Sequence, residues 1–159
     1  MTGQTRRTRQ LRGDELREVQ EAGSLLFELA ERQRAYYTAC AAEFDLSAAQ
    51  AKVLMSLRPG EAMPMRALAD RVGSDPSNLT GLVDKLEARG ALRRLPDPGD
   101  RRVKTLRLTT DGRRLRERFW HRLTHDPGPI APLTREQVRQ LTELLRAALS
   151  RPGTGDPAD

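Results

Sequence analysis

Apolar residues recur at helical spacing through most of the chain. From Asp14 to Phe44, the positions Leu16, Val19, Leu26, Leu29, Tyr36, Tyr37, Cys40 and Phe44 approximate one stripe. This predicts a rod of roughly 45 Å at 1.5 Å per residue, which needs a partner along its length. In LSAAQAKVLMSLRPG, Ser47 and Gln50 read as a capping box, Leu46 and Ala51 as a hydrophobic staple, and Arg58-Pro59-Gly60 as the stop. A third helix should start near Pro64, bury Leu68 and Val72, and end at Gly73. Two residues later, DPSNLTGLVDKLEARG carries an N-cap at Asp75, a first-turn proline at Pro76, a buried stripe of Leu79, Leu82, Val83 and Leu86, and a terminating Gly90. The period then drops to two. Leu92 to Leu95 reads as one strand, and the second places Lys104, Leu106 and Leu108 on one side and Val103, Thr105 and Arg107 on the other. Helices resume from about Thr110 through Leu123, with Leu115, Phe119 and Leu123 apolar. The last runs from a capping box at Thr134 and Gln137 to Leu149, with Val138, Leu141, Leu144, Leu145 and Ala148 apolar.

The helix after Asp75 has an unusual outer face, made of Ser77, Thr80, Gly81, Asp84 and Lys85. A merely solvated face is normally filled with long charged residues, whereas a mid-helix glycine costs about 1 kcal/mol relative to alanine. Something should therefore approach closely. Another helix would satisfy this, and so would a DNA groove, since small hydroxyls and amides can meet base edges or phosphates.

Charge changes the balance between those occupants. The chain has 159 residues, a formal net charge of +6 and a pI near 10.4, which points to nucleic acid or an anionic membrane surface. No apolar run is long enough to span a bilayer, and MTGQTRRTRQLRG lacks the apolar core of a signal peptide, so a cytoplasmic protein without a membrane partner is expected. The lone Cys40 excludes an internal disulfide and a cysteine-rich zinc site.

Two short helices joined by a glycine-containing turn, the second showing small polar groups, have the form of a helix-turn-helix. Directly after it, the two strands enclose PDPGDRR, a hairpin tip with two arginines that can enter a minor groove. Together these make a wing. The order of elements, with PSNLTGLVDKLEARGALRR, DPGDRRVKTLRLT and Leu108-Thr109 leading into a helix, resembles the MarR family of winged helix-turn-helix transcription regulators over about residues 14 to 149.

The resemblance implies a mainly α fold: a winged helix-turn-helix with a two-stranded β wing, and a dimerisation region formed by the first and the last two helices. Expected divisions are a disordered basic arm at 1–13, a dimerisation helix at 14–45, a DNA-binding lobe at 46–109, dimerisation helices at 110–149 and a disordered tail at 150–159. By the same resemblance Arg102 enters the minor groove and Asp100 fixes it, with Arg101 and Lys104 beside them, while Ser77, Asn78, Thr80, Gly81 and Lys85 form the recognition surface. Many relatives carry an arginine where this chain has Thr80, so the bases read do not transfer. Backbone-phosphate candidates are Arg66, Arg89, Arg93 and Arg94, with Arg71 a weaker one; Arg107 adds to the positive cluster. The expected partners are double-stranded DNA, a second copy of the chain, and a small aromatic effector. Tyr36, Tyr37, Phe44 and Trp120 are the pocket candidates for that effector, released DNA being the outcome. A non-regulatory architectural DNA-binding protein is the alternative.

Catalysis has little support. His121 and His125 stand four apart on a helix, yet no glutamate base lies between them, and neither a glycine-rich phosphate loop nor a nucleophile setting is recognisable. No enzyme activity, cofactor or metal is expected. Some relatives sense oxidants through a cysteine near the start of the first long helix, which makes a redox regulator acting through Cys40 a second alternative. Cys40 lies near the end of that helix, with no cation adjacent in YYTACAAEF to lower a thiol pKa, and is expected to pack as a small hydrophobe on the dimer-forming stripe.

Overall fold

The computed structural model describes residues 12–97, 99–100 and 103–150. Most of the basic arm, nearly all of the tail, and the wing residues Arg101 and Arg102 lie outside the described residues. Helix α1 spans Gly13–Ala42 and α2 Ala48–Ser56, followed by a two-residue strand β1, Met63–Pro64, and α3, Met65–Val72. Helix α4, Pro76–Ala88, leads into β2, Leu92–Pro96, and β3, Lys104–Leu108. Helix α5 covers Thr110–His125, a short 3₁₀ turn Gly128–Ile130, and α6 Arg135–Leu149.

The caps form as their residue types require. Ser47, Asp75, Thr109 and Thr134 each accept a hydrogen bond from a backbone N–H in the first turn of α2, α4, α5 and α6. Gly73, at φ +61°, closes α3 in the left-handed conformation that favours glycine and makes the tight turn into α4. Helices α2 and α3 also cap one another: the Lys52 ammonium donates to the Val72 carbonyl at 2.6 Å, and Arg71 donates to the Ser56 carbonyl at 3.0 Å. Arg71 is thus occupied in holding the helix pair together, a role that its charge alone does not distinguish from phosphate contact.

The sheet has three strands, not the two of the expected hairpin. Its order is β1-β3-β2, all antiparallel, with Met63 opposite Leu106 and Leu92 opposite Leu108. Strand β1 escapes sequence reading because two residues show no alternation, and its Pro64 fits an edge position where no ladder N–H is needed.

One core joins these elements. Val53, Leu54 and Leu57 of α2 and its end, Leu68 of α3, Leu79, Val83 and Leu86 of α4, and Leu92 and Leu106 of the sheet are fully buried together. Phe119 of α5 and Cys40 and Ala41 of α1 complete it. Cys40 therefore packs inside the single chain, against the lobe, and not on an exposed stripe: the register of α1 turns its last part inward. The first part of α1 is different, because Leu16, Val19, Leu25, Leu26 and Phe27 are exposed, Phe27 by 71%. Helix α6 buries no residue at all, and Leu144 is 69% exposed.

Where α5 meets the sheet, Gly112 permits an approach that no other residue would. A Cβ placed on it would lie 1.7 Å from the Ala91 carbonyl oxygen. Thr109 reinforces the contact, its N–H donating to the Ala91 carbonyl at 3.1 Å and its hydroxyl to the Gly90 carbonyl at 2.6 Å.

Candidate nucleic-acid interface

The buried stripe of α4 turns the opposite face outward, and Ser77, Asn78, Thr80, Gly81 and Lys85 are all exposed there. Among the described residues no helix packs on it, and a Cβ at Gly81 would meet none of their atoms within 4 Å. Within the single chain the face is open. Its first turn is held by side chains bonding one another. The Asp75 carboxylate accepts from the Ser77 hydroxyl at 2.6 Å and the Asn78 N–H at 2.9 Å, Asn78 donates from its amide to the Ser74 hydroxyl at 3.3 Å, and Thr80 donates to the Pro76 carbonyl at 2.9 Å. The bond from Ser77, and then that from Asn78, hold the Asp75 carboxyl below its ordinary value, so this cap stays ionised.

Arg94, a backbone-phosphate candidate, is placed between two carboxylates. Its side chain is only 26% exposed and bridges two carboxylates of α4, Asp84 at 2.5 Å and Glu87, whose other oxygen accepts the Arg94 N–H at 2.9 Å. The guanidinium is spent on fastening β2 to α4, and it neutralises the two acidic groups that would otherwise stand beside the open face. Arg89 is likewise engaged, donating at 2.7 Å to the carbonyl of Asp45 in the turn between α1 and α2, although it remains exposed. Arg66, on α3, is exposed. Arg93 projects from the side of β2 opposite to Arg94, since side chains alternate along a strand, and so points away from α4.

The wing is closed by Asp97, a residue that no motif of the sequence singles out. The Asp97 carboxylate accepts from the Gly99 N–H at 2.8 Å and the Asp100 N–H at 3.3 Å, and the Asp97 N–H donates to the Val103 carbonyl at 2.9 Å. An Asp followed two residues later by Gly is the available signal, because a short carboxylate folds back onto backbone N–H groups in turns. Lys104 is exposed at the start of β3, opposite Pro96.

The four aromatic candidates do not gather in one pocket. Tyr37 and Phe44 stand edge-on to Phe119, with ring centres 5.4 and 5.6 Å away, so they are core packing around a ring that the pocket reading omitted. Burial pushes the Tyr37 hydroxyl up to about 12. Tyr36 lies at the α1–α5 junction, its hydroxyl donating to the Asp126 carbonyl and accepting from Arg122 at 3.2 Å. Arg122 also grips both oxygens of Glu43, at 2.8 and 2.9 Å. Trp120, one residue from the buried Phe119 and so about 100° around the helix, is 56% exposed. Only Phe44 of the four lines the open cavity of about 560 Å³ beside α5, with Arg118, Arg122 and the stacked rings of His121 and His125, whose centres are 3.7 Å apart. Among the described residues, no three His, Cys, Asp or Glu side chains cluster as metal ligands, and no helix is long and apolar enough to cross a membrane.

Comparison with known proteins agrees with this geometry. The MarR family profile matches residues 46–104, from the staple of α2 to the first residue of β3. The multiple antibiotic resistance protein MarR of Escherichia coli is 33% identical over 107 residues, covering 66% of this chain and 74% of that protein. A cysteine-to-serine mutant of MarR from E. coli complexed with operator DNA superposes with a TM-score of 0.69 at 29% identity, covering 83% of this chain and 96% of that one. BpsR of Bordetella bronchiseptica, whose DNA binding is regulated by 6-hydroxynicotinic acid, superposes with a TM-score of 0.67 at 28% identity over 82% of this chain and 99% of that one. With a mainly helical fold, a three-stranded wing sheet and this relationship to a characterised regulator, the chain belongs to the MarR family of winged helix-turn-helix transcription regulators.

Proposed function

We propose that this chain is a homodimeric repressor that reads an inverted-repeat DNA operator and is released by a small aromatic ligand. The observation that carries the DNA-binding reading is the open, small-residue face of α4, presented beside a basic hairpin by a helix whose opposite stripe is locked in the core. In this reading Ser77, Asn78, Thr80, Gly81 and Lys85 enter the major groove, and Asp100, Arg101, Arg102 and Lys104 form the wing contact in the minor groove. Arg66 and Arg89 face backbone phosphates. The protein acts in the cytoplasm and performs no catalysis.

The second copy is called for by α1 and α6. Both are long helices on which large apolar residues stay exposed in this chain, Leu16, Val19, Leu25, Leu26 and Phe27 on α1 and Leu144 and Leu149 on α6, which is the condition under which two helical surfaces bury each other across a two-fold axis. Thus 14–45 and 110–149 serve dimerisation and 46–109 the DNA, although α1 also sends Cys40 and Ala41 into the lobe core. The operator complex of the E. coli relative and the ligand regulation of the B. bronchiseptica relative support the two halves of the proposal. Selection of bound duplexes from a random pool, followed by footprinting at the selected site, tests it. An inverted repeat protected at one promoter is the expected result. Uniform protection without sequence preference would instead make the protein architectural.

A further inference from the structure

Arg93 and Arg107 are directly opposite each other on β2 and β3, on the same face of the sheet. Like charges in that relation repel, and each arrangement of this kind weakens a hairpin unless something intervenes. A third guanidinium joins them. Arg113 lies in the first turn of α5, where the partial positive charge of a helix N-terminus disfavours a cation, and it folds back to donate to the Thr110 hydroxyl at 3.2 Å. The three line a single cavity of about 370 Å³ with Gly60, Thr109 and Thr110.

Among the described residues, no carboxylate lines this cavity. Asp111, the acidic residue of that helical turn, pairs with Arg114 at 3.8 Å, and Glu61, next to Gly60, pairs with Arg58 at 3.9 Å. Arg107 donates to the Gly60 carbonyl at 3.0 Å, while its Nε is buried without a hydrogen-bond partner. Three cations therefore converge: strand pairing acts against Arg93 and Arg107, helix polarity against Arg113 and desolvation against the Arg107 Nε, and a bound anion relieves all three.

We propose that this cavity is a binding site for a phosphate group. Three guanidiniums approaching from two strands and a helix offer more donors, in more directions, than one planar carboxylate can accept, whereas a phosphate presents oxygens on every side. The cavity is in the size range of small-molecule sites and holds more than the ion alone. It sits at the Leu92 and Leu108 end of the hairpin, about 13 Å along β2 from Asp97 at 3.3 Å per residue, which favours a free phosphoryl compound over a DNA backbone phosphate. Because the cavity bridges the sheet, the loop before β1 and the start of α5, its occupant ties the wing to the first helix beyond the lobe.

The test uses the full chain, with pyrophosphate as the probe and without DNA. Thermal unfolding should move up by a few degrees as pyrophosphate is added at fixed ionic strength, acetate should have no such effect, and Arg93→Gln and Arg113→Gln should each abolish the shift. Both variants keep Arg107 on Gly60 and change only exposed positions. A parallel arm measures the salt dependence of duplex binding by the same variants. A pyrophosphate shift with an unchanged salt slope assigns the site to a free phosphoryl compound. A slope shallower by about one per arginine, without a pyrophosphate shift, assigns it to a backbone phosphate. No shift and no change of slope, or a shift that survives in both variants, would overturn the proposal.

Discussion

Gly112 of α5 is seated on Ala91 so closely that the first atom of any side chain would fall 1.7 Å from the Ala91 carbonyl oxygen. The obstacle is backbone, so no rotamer change relieves it. Gly112→Ala should destabilise the fold by about 3 kcal/mol or more, the upper end of what overpacking costs, and urea denaturation measures this. Gly81→Ala, in the middle of α4 and open, should instead stabilise that helix by up to about 1 kcal/mol. Equal effects at the two glycines would contradict the packing described.

Arg94 predicts a linked loss of stability and DNA affinity. Arg94→Leu leaves Asp84 and Glu87 without their cation beside the open face, and should cost about 1–2 kcal/mol after allowing for solvent at Asp84. Arg94→Lys should recover little, since one ammonium cannot reproduce a fork that spans two carboxylates. Full DNA affinity in Arg94→Leu would show that the bridge has no part in presenting α4.

The wing residue Arg102 carries the direct test of groove contact. Arg102→Ala should weaken operator binding by about 1–3 kcal/mol and relax the preference at the bases beneath the wing. Competition binding against operators altered at single positions would reveal both effects. Wild-type affinity would remove the wing from the recognition surface.

Phe27 and Leu144 are exposed in the single chain, so charges placed there should leave its core intact. Phe27→Asp combined with Leu144→Asp should give a folded monomer in sedimentation, with the circular dichroism of the parent and much weaker operator binding. A persistent dimer would place the interface elsewhere on the molecule.

Asp75 gives a pH-dependent signature. Its carboxyl is held below the ordinary 3.8, chiefly by Ser77. A depressed folded value means that the cap contributes stability above the unfolded pKa and loses it as pH falls through the lower folded one. Amide protection in the first turn of α4 should therefore fade below about pH 4 in the parent, whereas Asp75→Asn, which caps without titrating, should show a flatter profile. Identical profiles would mean that the carboxylate does not hold that turn.

What could be read from sequence divides by whether the signal is local. The caps at Ser47, Asp75 and Thr134 and the stop at Gly90 were legible because a single turn of helix decides them, and the stripe of Leu79, Val83 and Leu86 because its period is that of the helix. Strand β1 was not legible, since two residues carry no period and its existence depends on β3, about forty residues away in the chain. Nor was the distinction among the arginines. Arg93 and Arg94 are neighbours of the same type, yet alternation along β2 sends one to a cluster of cations and the other between two carboxylates. The aromatic residues show the same limit: proximity to a helix junction says nothing about whether a ring such as Phe119 already fills the space.

The bonds within the first turn of α4 also decide what that turn has left to offer. The Thr80 hydroxyl already donates to the Pro76 carbonyl and the Ser77 hydroxyl to the Asp75 carboxylate, so their exposed oxygens have only acceptor capacity left, and Thr80 adds a methyl group. Phosphate oxygens, themselves acceptors, find no complement in either side chain. Adenine and cytosine amino groups do, as does the methyl of thymine. On the proposed reading, these two side chains are chemically suited to bases, and attraction to the DNA backbone falls to the remaining Asn78 amide hydrogen, Lys85 and the surrounding arginines.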